Sequence, residues 1–290
     1  MNHVVTFCDE SMARSACVCI TSAREHGAEE AYVYTHERLK LTDFYRDNEP
    51  LLSQPRGIGY WAWKPFVLLD LMNQLCDGST AIYIDAGVEV INNLNYIVDR
   101  MDQDIFLFGS MWEHAHWCKR DIIEAIIPGA PWEAFGKQVQ ASAIFVRVND
   151  QTKAFVEEWL EWCVFDGGRL VDDSPSRVNG NHPEFAENRY DQSILTTMSY
   201  REGATLHWWP ASYRGGSIYP RNGNHPNFQE NRHDQAILTT MAYREKLPLH
   251  HWAVRYNLGR ADQFDHEKGH YEDNYPVIFH HHRRRNHEWQ

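Results

Sequence analysis

The sequence predicts an α/β fold with parallel strands, and three observations carry that prediction. Apolar runs of strand length recur along the first half of the chain, segments of helical period lie between them, and the runs end on Asp or Gly where the chain must turn. Residues 4–8 form the first run, which ends at Asp9 and reads as a buried strand. Residues 12–26 read as a helix and 31–34 as a second strand. A glycine-containing turn is expected at 57–60. Pro65 then opens PFVLLDLMNQLC at a favourable first helical position, and Asp77-Gly78 stops that helix. Residues 81–84 are the next strand, closed by Asp85-Ala86-Gly87. Residues 93–101 read as a helix, 105–108 as a strand and 141–148 as an apolar strand-like run. Apolar spacing over 155–165 is that of an amphipathic helix. No Pro- or Gly-rich linker divides the chain, so one domain is expected over 1–290.

Composition narrows the function classes. A chain of 290 residues with 43% apolar content can bury a core without disulfides. A net charge of -12 argues against nonspecific binding to nucleic acid or an anionic membrane, because both need a basic surface. Six cysteines without a CxxC pair argue against a zinc ribbon and read mostly as small buried hydrophobes in a reducing compartment. The start, MNHVVTFCDE, has no secretory pattern, and no window of about 18 apolar residues occurs. A cytoplasmic location with no membrane span is therefore expected. Eleven tryptophans are many for this length, and that residue suits both cores and stacking on sugar rings.

The strongest internal signal is a tandem duplication. NGNHPEFAENRYDQSILTTMSYRE begins at Asn179 and NGNHPNFQENRHDQAILTTMAYRE at Asn222, offset by 43 residues and identical at 19 of 24 positions. Weaker similarity extends the copies to 179–209 and 222–252. Two such copies read as a duplication inside an existing fold, since a solenoid needs about three repeats to bury a core.

Several segments could carry chemistry. YIDAG (83–87) puts Asp85 at the C-terminal end of a strand, where open α/β sheets bind ligands, and Gly87 two residues on lets a ligand approach the backbone. Asp85 could hold a metal or a ribose, or cap the next turn. GYWAWKP (59–65) sets Trp61, Trp63 and Lys64 before a helix N-terminus that favours anions, or forms a core-packing turn. NRYDQSIL (188–195) and NRHDQAIL (231–238) place Asp191-Gln192 and Asp234-Gln235 at a helix start, as caps or as a general base and sugar-orienting pair. In YPVIFHHHRRRN, strand alternation would put His280 and His282 on one face as metal ligands, against the reading of a solvated basic tail. Lys119 and Arg120 of WCKRD could bind phosphate, and Gln140 and Ser142 of QASAIF could bond a sugar.

Taken in order, VTFCDE, GYWAWKP, YIDAGVEVINN, HWCKRD, VQASAIF, FVEEWL, LVDDSP, ENRHDQAIL and YPVIFHHHRRRN resemble the GT-A-like nucleotide-sugar glycosyltransferases over nearly the whole chain. That resemblance implies a single GT-A-like α/β domain with a mixed central sheet. A Rossmann-like donor half would span 1–110 and an acceptor half 111–290. It implies donor contacts from Thr6, Phe7, Asp9, Lys64, Asp85, Gly87 and Arg284. Sugar or acceptor contacts would come from Trp61, Trp63, Lys119, Gln140 and Ser142. The catalytic pair would be Asp191-Gln192 or Asp234-Gln235. Asp85 matches the first Asp of the family's Asp-x-Asp, with Gly87 where the second Asp commonly binds metal. Glu89, or His280 with His282, would then complete a Mn²⁺ or Mg²⁺ site around Asp85. The expected activity is hexosyl or pentosyl transfer from a nucleotide-diphosphate sugar, UDP-sugar favoured, to a glycan or other hydroxyl. The alternatives are a sugar-nucleotide or glycan-binding module without turnover, and a hydrolase with paired carboxylates. Copy one continues directly from LVDDSP and is the expected site copy, with copy two beside the acceptor groove.

Overall fold

The computed structural model describes residues 1–208, 211–213, 278–281 and 285. Of the residues singled out in the sequence, Asp234, Gln235, His282 and Arg284 lie outside the described residues.

The chain opens with β1 (Asn2–Cys8), a 3-10 turn, α1 (Ala13–Glu25) and β2 (Glu30–Thr35). Four short helical turns follow, α2 (His36–Lys40), α3 (Asp43–Asp47), α4 (Glu49–Leu52) and α5 (Gly57–Tyr60). Next come α6 (Lys64–Asn73), β3 (Thr80–Ile84), β4 (Val88–Val90), α7 (Asn95–Val98) and β5 (Ile105–Glu113). The second half holds α8 (Arg120–Ile126), β6 (Lys137–Val139), β7 (Ala143–Arg147), α9 (Asp150–Gly168), α10 (Tyr190–Arg201), β8 (Leu206–Trp208), β9 (Ala211–Tyr213) and β10 (Phe279–His281).

The central sheet is mixed and runs β2-β1-β3-β7-β5-β6, with β8 also pairing β5. β1 is parallel to both β2 and β3, whereas β7 is antiparallel to β3 and β5. The sheet is therefore continuous across residue 110, because β7 sits between two strands of the first half. A smaller sheet, β4-β10-β9, joins the chain's last described strand to the turn after Asp85.

Alternation explains why β3 and β7 read as unbroken apolar runs. Ala81, Tyr83, Ile144 and Val146 face a core built with α6, α8, α9 and α10. Ile82, Ile84, Ala143 and Phe145 face a second core with α1, β4 and β10. Both faces of these strands are covered, so no polar face interrupts them. α9 begins earlier than the apolar spacing alone indicates. Asn149 and Thr152 form a reciprocal capping box, which satisfies two orphan N–H groups and fixes the start. Residues 93–101 deliver only the single helical turn α7. Of the six cysteines, Cys8, Cys19, Cys118 and Cys163 are buried and Cys17 and Cys76 are exposed, in line with a set that is mostly buried. No helix among the described residues is long and apolar enough to cross a membrane.

Candidate active site

A left-handed turn feeds α6. Gly57, Ile58, Gly59, Tyr60 and Trp61 all have positive φ, between 54° and 82°. Each non-glycine residue there costs roughly 1–2 kcal/mol. Gly59 is required, since a Cβ at that position would lie 2.7 Å from Leu52 Cα and 2.8 Å from Leu51 O. The turn delivers Lys64 as the first residue of α6, where the helix dipole disfavours a cation.

Lys64 is nonetheless buried, at 4% exposure. Its Nζ lies 3.1 Å from Ala141 O, 3.3 Å from Asp85 Oδ1 and 3.4 Å from Asp191 Oδ2. An ammonium has three N–H donors, and three acceptors surround this one. Burial opposes the Lys64 charge, but Asp191 and Asp85 outweigh it and hold its pKa above the ordinary value. Asp85 follows β3 and also accepts from Tyr83 Oη at 2.8 Å. Its backbone N–H donates to Ser142 O at 2.9 Å, which locks the end of β3 beside β7. Asp191 lies in the first turn of α10 and is 4% exposed. Burial raises its pKa to about 6; Lys64 lowers it and Asp85 raises it further. The result is a cluster of two carboxylates around one buried ammonium, with Asp191 buried, Asp85 partly exposed and one negative charge in excess.

Polar bonds seat the start of α10. Ser193 Oγ donates to Trp117 O at 2.7 Å and accepts from Gln138 Nε2 at 3.1 Å. Gln192 Nε2 donates to Gln138 Oε1 at 2.7 Å, and Trp159 Nε1 donates to Asp191 O at 3.1 Å. Tyr190 opens α10 with φ of 54°. Its ring lies 5.2 Å from Trp61 and 5.7 Å from Tyr60, under the Arg56 guanidinium at 4.9 Å. In copy two, Tyr190 and Ser193 are replaced by His233 and Ala236.

The other expected site residues fall in several places. Trp63 is buried, stacks on Phe7 at 3.7 Å and donates to Gly57 O at 2.8 Å, so it is a core residue and not a groove wall. Phe7 shares that core position. Thr6 is fully buried, with its hydroxyl against the Cys19 thiol, whose pKa burial pushes up to about 12. Asp9 accepts from Ser11 Oγ and from Met12 N, capping a 3-10 turn. Gly87 is buried in the turn between β3 and β4. Gln140 Nε2 donates to Ser142 Oγ at 2.8 Å, beside the Ala141 carbonyl that holds Lys64. Lys119 does not face open space as a phosphate ligand would: its Nζ donates to Asp172 at 2.8 Å and to Arg169 O at 3.1 Å. Tyr83 and Tyr190 escaped sequence reasoning. Tyr83 was within reach of it, since strand alternation puts residues two apart on one face.

A divalent metal at Asp85 does not fit the described residues. Asp85 Oδ1 already has Lys64 and Tyr83, and Gly87 brings no carboxylate. His280 is buried in β10 opposite Glu89 of β4. Among the described residues the one group of three side chains able to hold an ion is His116, His182 and Glu184, which does not include Asp85.

No protein-family model matches the chain, and no curated protein sequence matches it. Among solved structures it overlaps mouse xyloside xylosyltransferase 1, apo form, at 10% identity and TM-score 0.46, covering 97% of each chain. It overlaps the galactosyltransferase LgtC, in complex with donor and acceptor sugar analogs, at 14% identity and TM-score 0.47, over 97% of this chain and 87% of that one. The glycosyltransferase GlyE of Streptococcus pneumoniae overlaps at 10% identity and TM-score 0.42, over 97% of this chain and 54% of that one. Overlaps with identities of 10% to 14% establish neither family nor activity.

Proposed function

We propose that the chain is a glycosyltransferase that moves a sugar from a nucleotide-diphosphate sugar, UDP-sugar favoured, to a hydroxyl of a glycan or other acceptor. The observation that carries this reading is the Lys64–Asp85–Asp191 cluster. Its excess negative charge lies at the end of a parallel strand, with Lys64 and Asp191 buried. Such a field suits a carbon that gains positive charge as its bond to the departing diphosphate lengthens. Lys64 keeps the two carboxylates close without neutralising both. Asp191, with a pKa of about 6, binds a sugar hydroxyl or accepts the acceptor's proton. Asp85, with 32% of its side chain exposed, turns its open side to the donor. Trp61, half-buried, offers a ring face to the acceptor sugar, and the buried Tyr190 packs behind it. Because Lys64 is held by the Ala141 carbonyl and two carboxylates, the diphosphate needs another cation, and Arg284 of the closing basic segment is our candidate. The ordered motifs support the same activity.

Nucleotide-release and mass-spectrometric assays over UDP-, GDP- and CMP-sugars, each with and without Mn²⁺, test it. Transfer or slow donor hydrolysis is expected with a UDP-sugar. Donor binding without release would instead make the chain a binding module, and the absence of both binding and release would refute the proposal.

A further inference from the structure

A second cluster lies apart from Lys64, shares no residue with it and does not depend on the proposed activity. His116 ends a 3-10 turn that follows β5, and His182 and Glu184 flank Pro183 in the loop before α10. His116 Nε2 is 2.9 Å from Glu184 Oε2, and the His116 and His182 rings are 5.0 Å apart. One ligand atom from each of the three residues lies within 4.8 Å of the others.

We propose that His116, His182 and Glu184 form a three-ligand zinc-type site that clips the copy-one loop to the body of the fold. The donor chemistry fits. Two imidazoles and one carboxylate suit zinc, and three protein ligands leave a fourth position for water. Tetrahedral bonds of roughly 2.0–2.2 Å separate ligand atoms by about 3.4 Å. Small side-chain rotations therefore bring the three onto one ion. The ion replaces the His116–Glu184 pairing. It also replaces the contact of Glu184 N–H with His182 Nδ1, at 3.1 Å, because that ring must give a nitrogen lone pair to the metal.

The backbone already places the ligands. Ala186 N donates to His116 O at 2.8 Å, and Arg189 N donates to Trp117 O at 3.0 Å. Trp132 Nε1 donates to Gly180 O at 2.9 Å, and Asn181 Oδ1 accepts from Arg120 N at 2.8 Å. The loop thus reaches the ion prearranged, which lowers the ordering cost of binding.

The duplication makes the site specific to one copy. Gly180, Asn181 and His182 have identical counterparts in Gly223, Asn224 and His225, but Glu184 corresponds to Asn227. Copy two keeps the histidine and lacks the anionic ligand. A bound ion therefore favours copy one beside His116, and with it Asp191 at the start of α10.

Zinc binding by the full-length chain tests this, measured by competition with a chromophoric chelator. Visible absorption of the cobalt-substituted protein reports nitrogen and oxygen ligands directly. Wild type is expected to take up zinc, with affinity weakened at least about tenfold in Glu184→Asn and in His182→Ala, and unchanged in His225→Ala. Glu184 has 71% of its side chain exposed, so Glu184→Asn should fold, and circular dichroism verifies it. Absence of zinc binding by wild type would overturn the proposal. So would equal affinity in wild type and folded Glu184→Asn, or equal loss in His182→Ala and His225→Ala.

Discussion

Lys64 and Lys119 are buried to the same depth, each 4% exposed, yet they sit in opposite kinds of surroundings. Lys119 meets one carboxylate, Asp172, together with the Arg169 carbonyl and the Ser174 hydroxyl. Burial works against the Asp172 charge, but hydrogen bonds from Lys119 and Ser174 outweigh it and hold its pKa below the ordinary value. That is a balanced ion pair that fastens residues 169–174 to the start of α8. Lys64 meets two carboxylates, and the more buried one, Asp191, has its pKa pushed up to about 6. One pair is settled, and the other retains a group that can exchange a proton near neutral pH. The difference comes from the number of carboxylates around the ammonium, not from the lysine or its depth.

Removing each lysine probes that difference most strongly. Lys64→Met leaves two neighbouring carboxylates without their cation and is expected to lose about 3–5 kcal/mol in urea denaturation at pH 8. Lys119→Met leaves Asp172 with Ser174 and partial solvent contact, and about 1–3 kcal/mol is expected. Equal losses would erase the distinction.

Asp191→Asn keeps the shape and removes the titrating group. It is expected to cut sugar transfer by about 100-fold or more while the protein stays folded. Asp172→Asn should leave the chemical step nearly intact, so a comparable drop in kcat there would break the comparison.

Stability against pH gives a third probe. Asp191's folded pKa lies above its unfolded value, so the folded state binds that proton more tightly. Its contribution is fully present below pH ~4 and is lost as pH rises through about 6. Relative to Asp191→Asn, wild type should therefore lose on the order of 2 kcal/mol over that window. Asp172, with its lowered pKa, contributes in the opposite sense: its stability is present above the unfolded value and lost as pH falls. Denaturation of both Asn variants from about pH 2 to about pH 8 measures the two signs, Asp172's below about pH 4 and Asp191's above it, and curves of the same sign would refute the contrast.

The smallest effect belongs to Tyr83→Phe, which removes the 2.8 Å bond to Asp85. About 1 kcal/mol of stability and a modest fall in turnover are expected, read by denaturation and initial rates.

Much of the central sheet was legible in the sequence. β1 and β3 are covered on both faces, and such strands appear as continuous apolar runs. The small sheet was harder to read, because β4, β9 and β10 have three residues each and β10 finds its partner far back in the chain. Lys64, Asp85 and Asp191 were each singled out, but their meeting was not readable: two helices and a strand end converge only in space. Lys119 shows the same limit from the other side. Its motif suggested phosphate, and the carboxylate that occupies it is 53 residues away. The turn at 57–60 was visible through its glycines, but nothing in the residue types revealed positive φ at Ile58, Tyr60 and Trp61.

The most direct test of the central claim uses the duplication itself. Asp191→Asn and Asp234→Asn change equivalent residues of the two copies, and Asp191 lies beside Lys64. Nucleotide release from a UDP-sugar should fall at least about 100-fold in Asp191→Asn and stay near wild type in Asp234→Asn. Full activity in a folded Asp191→Asn variant, with loss in Asp234→Asn, would contradict the account.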